Sequence, residues 1–210
     1  MPGTLFIIAA ASGTGKTTLV RALCRDIERL KVSVSCTTRA MRPGEVNGVD
    51  YHFVDAATFR DMVSKNRFLE HETVFDHQYG TPRGWVEQEL AAGYDIILEI
   101  DWQGARDVRA LLPEQSISIF LLPPSLSVLE DRLRGRGQDD ESIIRRRMQD
   151  ALNEIRHFTE FDYLVVNDDF DKALEEVARI VENRRSGKDY DGPDLRAFAE
   201  QLVTEGGFLQ

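Results

Sequence analysis

Residues 5–9, Leu-Phe-Ile-Ile-Ala, run straight into Ala10-Ala11-Ser12-Gly13-Thr14-Gly15-Lys16-Thr17 and on into Thr18-Leu19-Val20-Arg21-Ala22-Leu23. A short apolar run, a loop with two glycines and a helix-forming stretch read together as a strand, a phosphate-holding loop and a helix. Gly13 and Gly15 let successive N–H groups turn inward as an anion nest. Lys16 reaches terminal phosphates, the Thr17 hydroxyl suits a magnesium ion, and the helix N-terminus adds a dipole that favours anions. The first glycine of the usual Gly-x4-Gly-Lys-[Ser/Thr] pattern is Ala10. Candidate phosphate-binding residues are therefore Ala10, Ala11, Ser12, Gly13, Thr14, Gly15, Lys16, Thr17 and Thr18.

Further apolar runs predict strands at 32–36, 95–100, 117–122 and 163–166. Amphipathic stretches predict helices at 16–30, 56–65, 83–92, 102–112, 125–134, 141–158 and 171–185. Strands separated by helices imply crossover units, hence an α/β fold with a mostly parallel sheet covered by helices on both faces. Ligands on such a sheet sit at the carboxyl ends of the strands, which puts the phosphate loop, Asp101 and Asn167-Asp168-Asp169 on one rim. Two segments break the alternation. Residues 35–82 are rich in Tyr, Phe, Arg and Gly, with strand-like pieces at 51–54 and 68–75, and read as a small mixed α/β insertion. Residues 126–157 read as a helical lid, two helices joined by Gly135-Arg136-Gly137-Gln138-Asp139-Asp140 with arginines on both sides. The expected division is a core of 3–32, 85–125 and 158–185, an insertion of 33–84, a lid of 126–157 and a tail of 186–210. The tail begins polar and carries a short helical stretch at 194–203, with no role assigned by the sequence.

A net charge of −10 over 210 residues disfavours nucleic acid and anionic membranes as partners. An anionic substrate then needs local arginines, so clustered arginines become informative. Cys24 and Cys36 form no paired motif and read as free thiols of a reducing compartment. The N-terminal apolar run is too short to span a bilayer and follows no basic stretch, which points to a cytoplasmic protein.

A phosphate loop is shared by hydrolases, switches and kinases. Arg39 and Arg42 flank a turn at Pro43-Gly44, and guanidinium forks suit bidentate contact with phosphate oxygens. Glu70 can accept from the N1 and N2 hydrogens of guanine, and the hydroxyls of Ser35 and Thr81 can donate to its O6. Adenine presents the opposite pattern and would leave the carboxylate unpaired. Tyr51 and Tyr79 add phosphate hydrogen bonds or a pocket wall. Solvated arginines, core tyrosines and an exposed glutamate stay open as the alternative.

Ser35-Cys36-Thr37-Thr38-Arg39, Arg42-Pro43-Gly44-Glu45 and Asn47-Gly48-Val49-Asp50-Tyr51 resemble the nucleoside-monophosphate segment of guanylate kinases. Tyr79-Gly80-Thr81, Glu99-Ile100-Asp101-Trp102-Gln103-Gly104, Pro123-Pro124-Ser125, Arg132-Leu133-Arg134-Gly135-Arg136-Gly137 and Val166-Asn167-Asp168-Asp169 continue the resemblance in order over about residues 3–184. It implies transfer of the γ-phosphoryl group from ATP to GMP with Mg2+. By this similarity Ser35, Glu70, Thr81 and Asp101 read the base, and Arg39, Arg42, Tyr51 and Tyr79 hold the acceptor phosphate. Asp101 stays open between that role and holding Mg2+ through water, beside Thr17. Arg132, Arg136 and Arg147 match the lid, so the catalytic set is Lys16, Arg39, Arg132, Arg136 and Arg147. Arg136 and Asn167 join the loop as ATP contacts. Helix spacing supports Arg147, because Arg145 has Glu141 and Arg146 has Asp150 four residues away, whereas Arg147 has Ile143 and Ala151. The competing readings are a kinase for another monophosphate and a non-catalytic interaction module of the same fold. A GTPase lacks its Asn-Lys-x-Asp segment here, and His71-Glu72 lacks the second zinc histidine, since Phe75 stands in its place. dGMP as acceptor and the oligomeric state stay open.

Overall fold

The computed structural model describes residues 2–74, 76–135 and 140–207. Strands β1 (Leu5–Ala10), β2 (Leu30–Val32), β7 (Asp95–Glu99), β8 (Ser116–Leu122) and β9 (Tyr163–Val166) form one sheet in the order β2-β7-β1-β8-β9. The pairs β2–β7 and β8–β9 are parallel. All six residues of β1 are buried, as a strand covered on both faces requires. A second sheet has the order β4-β3-β6-β5, from β3 (Cys36–Thr37), β4 (His52–Phe53), β5 (Phe68–Val74) and β6 (His77–Pro82). The helices are α1 (Lys16–Asp26), α2 (Ala56–Ser64), α3 (Arg83–Ala91), α4 (Trp102–Leu111), α5 (Leu126–Arg134), α6 (Glu141–Ile155), α7 (Phe170–Ser186) and α8 (Arg196–Gly207). None is long and apolar enough to cross a membrane among the described residues.

The α/β class expected from the sequence is the one observed, with local corrections. The run at 32–36 is not one strand. It leaves the first sheet after Val32, where the Ser33 N–H donates to the Ile97 carbonyl at 2.9 Å, and enters the second at Cys36. The helix expected over 141–158 ends at Ile155 and tightens into a 3-10 turn, Arg156–Glu160. The helix expected over 16–30 stops at Asp26, because Ile27 is extended and Arg29 takes a positive φ of 59° before β2.

The chain divides into two compact units. One comprises residues 2–6, 29–74, 76–98 and 103–116, and the other 7–28, 99–102 and 117–207 without 136–139. In the first unit, Cys36, Phe59 and Phe68 are the buried centre of a small core completed by Val54, Met62 and Val63. Phe59 and Phe68 stack at 4.6 Å. Gly80, opposite Cys36 in the ladder, lets β6 pass over that stack: a Cβ there would lie 2.8 Å from the Phe68 ring. In the second unit, α5, α6 and α7 begin on Ser125, Asp140 and Asp169, whose side chains accept from N–H groups of their first turns. The tail helix α8 packs on α5, α6 and the 3-10 turn, with Ala199 and Leu202 buried. At Gly206 a Cβ would meet Leu152 at 2.2 Å, so the tail seats on α6 through a bare backbone.

Candidate active site

The loop after β1 has the conformation its glycines foretell. Gly13 and Gly15 have φ of 94° and 99°, and Gly15 caps α1. Ala10 closes an ordinary strand and is not among the residues with positive φ, so the missing glycine costs the backbone nothing. The Thr14 N–H donates to the Ala11 carbonyl at 3.1 Å. Asn167, buried at the end of β9, braces the loop from outside: its Nδ2 donates to the Thr14 carbonyl at 2.6 Å. Gly15 makes room for that amide, since a Cβ there would come within 2.7 Å of Asn167 Nδ2. Arg132 donates through both terminal nitrogens to the Asn167 carbonyl, each at 3.1 Å.

Lys16 opens α1 and its Nζ donates to the Ile100 carbonyl at 3.1 Å. The exposed Thr17 hydroxyl donates to the Glu99 carboxylate, and Thr18 beside it is also exposed. Asp101 follows at the carboxyl end of β7, half-buried. Arg147 lies against the loop, its Nη2 donating to Ser12 Oγ at 3.0 Å, whereas Arg145 and Arg146 are exposed. Arg134 stays outside in ion pairs with Glu130 and Glu141. Arg136 lies outside the described residues.

Glu154 and Glu99 were not foreseen. Glu154 Oε2 accepts the Ser12 N–H at 3.0 Å. Burial pushes its carboxyl up to about 7, against attraction from Lys16 and the Ser12 hydrogen bond, with Asp101 and Asp150 adding repulsion. Its signal was available: Arg147, Ala151 and Glu154 share one helical stripe (i, i+4, i+7). Glu99 carries a signal too, as the polar residue that ends the apolar run of β7.

In the other unit, Arg39 is enclosed on several sides. Its guanidinium forks onto Glu45 at 2.6 and 3.0 Å, donates to the Ala40 carbonyl at 2.8 Å and also bonds Tyr79. It lies 5.4 Å from the Tyr51 ring centre and 5.7 Å from that of Phe53. Tyr51 and Tyr79 meet edge to face at 5.9 Å. The Pro43-Gly44 turn forms as expected: the Glu45 N–H donates to the Arg42 carbonyl at 3.1 Å, and Gly44 takes φ 88°. Glu45, not singled out in the sequence, ties the turn to Arg39, since it also accepts the Arg42 N–H at 2.7 Å. Hydrogen bonding from Arg39 holds its carboxyl below the usual range. The Arg42 side chain itself is exposed.

Glu70 and Thr81 are both buried and joined, the Thr81 hydroxyl donating to Glu70 Oε1 at 2.5 Å. The register Cys36↔Gly80 puts Ser35 one step beyond a ladder pair, next to the Thr81 position. Glu70 also lines a cleft of about 540 Å³ with Phe68, Glu72, Gln78, Arg83 and Asp107. The structure thus brings Arg39, Tyr51 and Tyr79 together, and Ser35, Glu70 and Thr81 together, on the four-stranded sheet. Asp101 belongs to the unit that carries the phosphate loop.

Residues 3–184 match the family model described as guanylate kinase. The guanylate kinase of Alcanivorax borkumensis is 57% identical over 183 residues, 87% of this chain and 88% of that protein. That of Methylococcus capsulatus is 53% identical over 201 residues, covering 96% of this chain and 98% of its own. The crystal structure of guanylate kinase from Anaplasma phagocytophilum superposes with a TM-score of 0.74 at 32% identity, covering 90% of this chain and 88% of that one.

Proposed function

The chain belongs to the guanylate kinase family, and from that premise we propose that it transfers the γ-phosphoryl group of ATP to GMP, giving ADP and GDP. The observation that carries the acceptor half is the buried Glu70 carboxylate, held by Thr81 on the same small sheet as the Arg39 fork. Glu70 accepts the N1 and N2 hydrogens of guanine, and an adenine in its place offers that carboxylate no such pair of donors. Thr81 turns its hydroxyl toward O6 or keeps it on Glu70, and Ser35 offers a second donor. Arg39, Arg42, Tyr51 and Tyr79 take the acceptor phosphate. dGMP carries the same base edge and phosphate and is the first alternative acceptor to assay.

The reaction needs no dedicated base. A monophosphate is largely dianionic near neutrality, its second pKa being about 6. The obstacle is the repulsion of two anions, so positioning and fixed positive charge carry the catalysis. Lys16 reaches the terminal phosphates from the loop, and Arg132, Arg136 and Arg147 neutralise the group in flight. Asn167 acts through the loop it braces as well as at the donor nucleotide.

Magnesium fits the loop. Thr17 supplies a hydroxyl with the Glu99 carboxylate beside it, which are hard oxygen donors, and Asp101 follows two residues on. A nucleotide-bound magnesium ion takes only one or two protein oxygens and draws the rest from phosphate and water. When bound, it screens the phosphate charge. The cytoplasm, where these nucleotides and free thiols occur together, is the proposed location. Cys24 and Cys36 suit it, both thiols being pushed up by burial to about 11 and hence unreactive.

The test is ADP formation from ATP and magnesium with GMP, AMP, UMP or dTMP as acceptor. GMP is expected to turn over orders of magnitude faster than the others. Absence of GDP with both nucleotides and metal present would overturn the reading.

A further inference from the structure

Glu154 is a half-buried acid with no part in the transfer outlined above, yet it sits on the phosphate loop. Its Oε2 accepts the Ser12 N–H at 3.0 Å, and Lys16, the first residue of α1, attracts it. Asp101, after β7, and Asp150, one turn back on α6, repel it. Arg147, two turns back, occupies the Ser12 hydroxyl at 3.0 Å. A loop N–H and the loop lysine are the two kinds of donor that such a loop offers to phosphate oxygens. A carboxylate oxygen on that amide presents the same acceptor as a phosphate would. The two anions cannot share these donors without like-charge repulsion in a partly buried site.

We propose that Glu154 is a built-in counter-anion of the phosphate loop, holding the Ser12 N–H and facing Lys16 until the donor's terminal phosphate takes them, and so setting triphosphate affinity by competition. The proposal rests on the reading of the loop as the ATP site. It makes α6 more than a carrier of Arg147, because the same helix face offers the loop an arginine and the acid that yields to the nucleotide.

The test is calorimetric titration of the full chain at pH 8 with magnesium and a non-hydrolysable ATP analogue, with ADP, and with GMP. Wild type, Glu154→Gln and Glu154→Ala are compared. Glutamine keeps an acceptor for Ser12 and removes the charge, whereas alanine removes both. Both variants are expected to bind the ATP analogue roughly fivefold or more tightly than wild type. ADP, lacking the terminal phosphate, gains less, and GMP is unchanged. Equal or weaker binding of the ATP analogue by Glu154→Gln overturns the proposal, as does an equal gain for all three ligands, which is the mark of a merely structural role. If one variant does not fold, the other is judged by the same criterion. Failure of the wild type to bind the ATP analogue overturns the reading of the loop and the proposal together. Normal wild-type binding with an unmoved variant overturns only the role of Glu154.

Discussion

Glu154→Gln also has a calculable effect on stability. Its carboxyl stands at about 7 in the folded chain, against an ordinary value near 4.5, with burial as the main cause. Between those two pH values the folded chain holds a proton that the unfolded chain has released. Stability therefore falls as pH rises through this window, and the loss is complete above about pH 7. A displacement of that size corresponds to roughly 3 kcal/mol. Glutamine resembles the protonated acid and still accepts the Ser12 N–H, so it escapes the loss. The variant is expected to match wild type near pH 4.5 and to be more stable at pH 8 by up to about 3 kcal/mol. Urea unfolding of both proteins at pH 5, 6, 7 and 8 reads the gap directly, since every other titrating group is common to the pair. A gap that stays constant with pH, or widens toward acid, would refute the reasoning.

Lys16→Met and Arg39→Met should each lower kcat/KM on the order of 10³-fold, about 4 kcal/mol of transition-state stabilisation. Near-normal steady-state rates in both would reject their roles. Glu70→Gln should cut kcat/KM for GMP on the order of 10²-fold in the acceptor panel; an unchanged preference for GMP would remove Glu70 from base reading. Gly80→Ala forces a Cβ to within 2.8 Å of Phe68, whose ring is fixed by its stack on buried Phe59. It should cost about 1–3 kcal/mol in urea unfolding, and an unmoved midpoint would show that the ladder has slack. Glu45→Gln should raise KM for GMP more than it lowers kcat, because it loosens the Arg39 fork before the acceptor arrives. A kcat loss with KM intact would contradict that.

The core of the fold was legible because its signals are local. β1, the glycine loop and α1 are adjacent in sequence, and burial on both faces of the sheet leaves continuous apolar runs at β1, β7, β8 and β9. The run at 32–36 misled because five residues of strand-like composition serve two sheets, and only the Ser33–Ile97 and Ser35–His52 hydrogen bonds reveal the break. Candidate site residues were legible where the chemistry is distinctive, as with Lys16, Arg39 and Glu70. Glu45 and Glu154 escaped because their roles come from partners brought close by folding. An acidic residue in a turn or on a polar helix looks like surface until Arg39 or Ser12 is found against it. Asn167 reads as an ATP contact in the sequence, and that its amide also braces the loop is shown only by the 2.6 Å bond to Thr14.

The two units each set a carboxylate against a group proposed to bind phosphate, and the carboxylates differ in kind. Glu45 faces a full positive charge through two N–H groups, so pairing holds its carboxyl down and it stays ionised. It orients a guanidinium proposed to meet a phosphate, in the manner of a fixed support. Glu154 faces an amide and a lysine while burial and two acids work against its charge, so its carboxyl is pushed up. A charge so weakly held yields readily to a stronger anion. The same substitution, carboxylate to amide, is therefore expected to act in opposite directions: weaker acceptor binding at Glu45, where charge builds the fork, and tighter donor binding at Glu154, where charge competes with the ligand. Like effects at both positions would mean that the sign of the pKa displacement carries no information about which acid supports a phosphate site and which one occupies it.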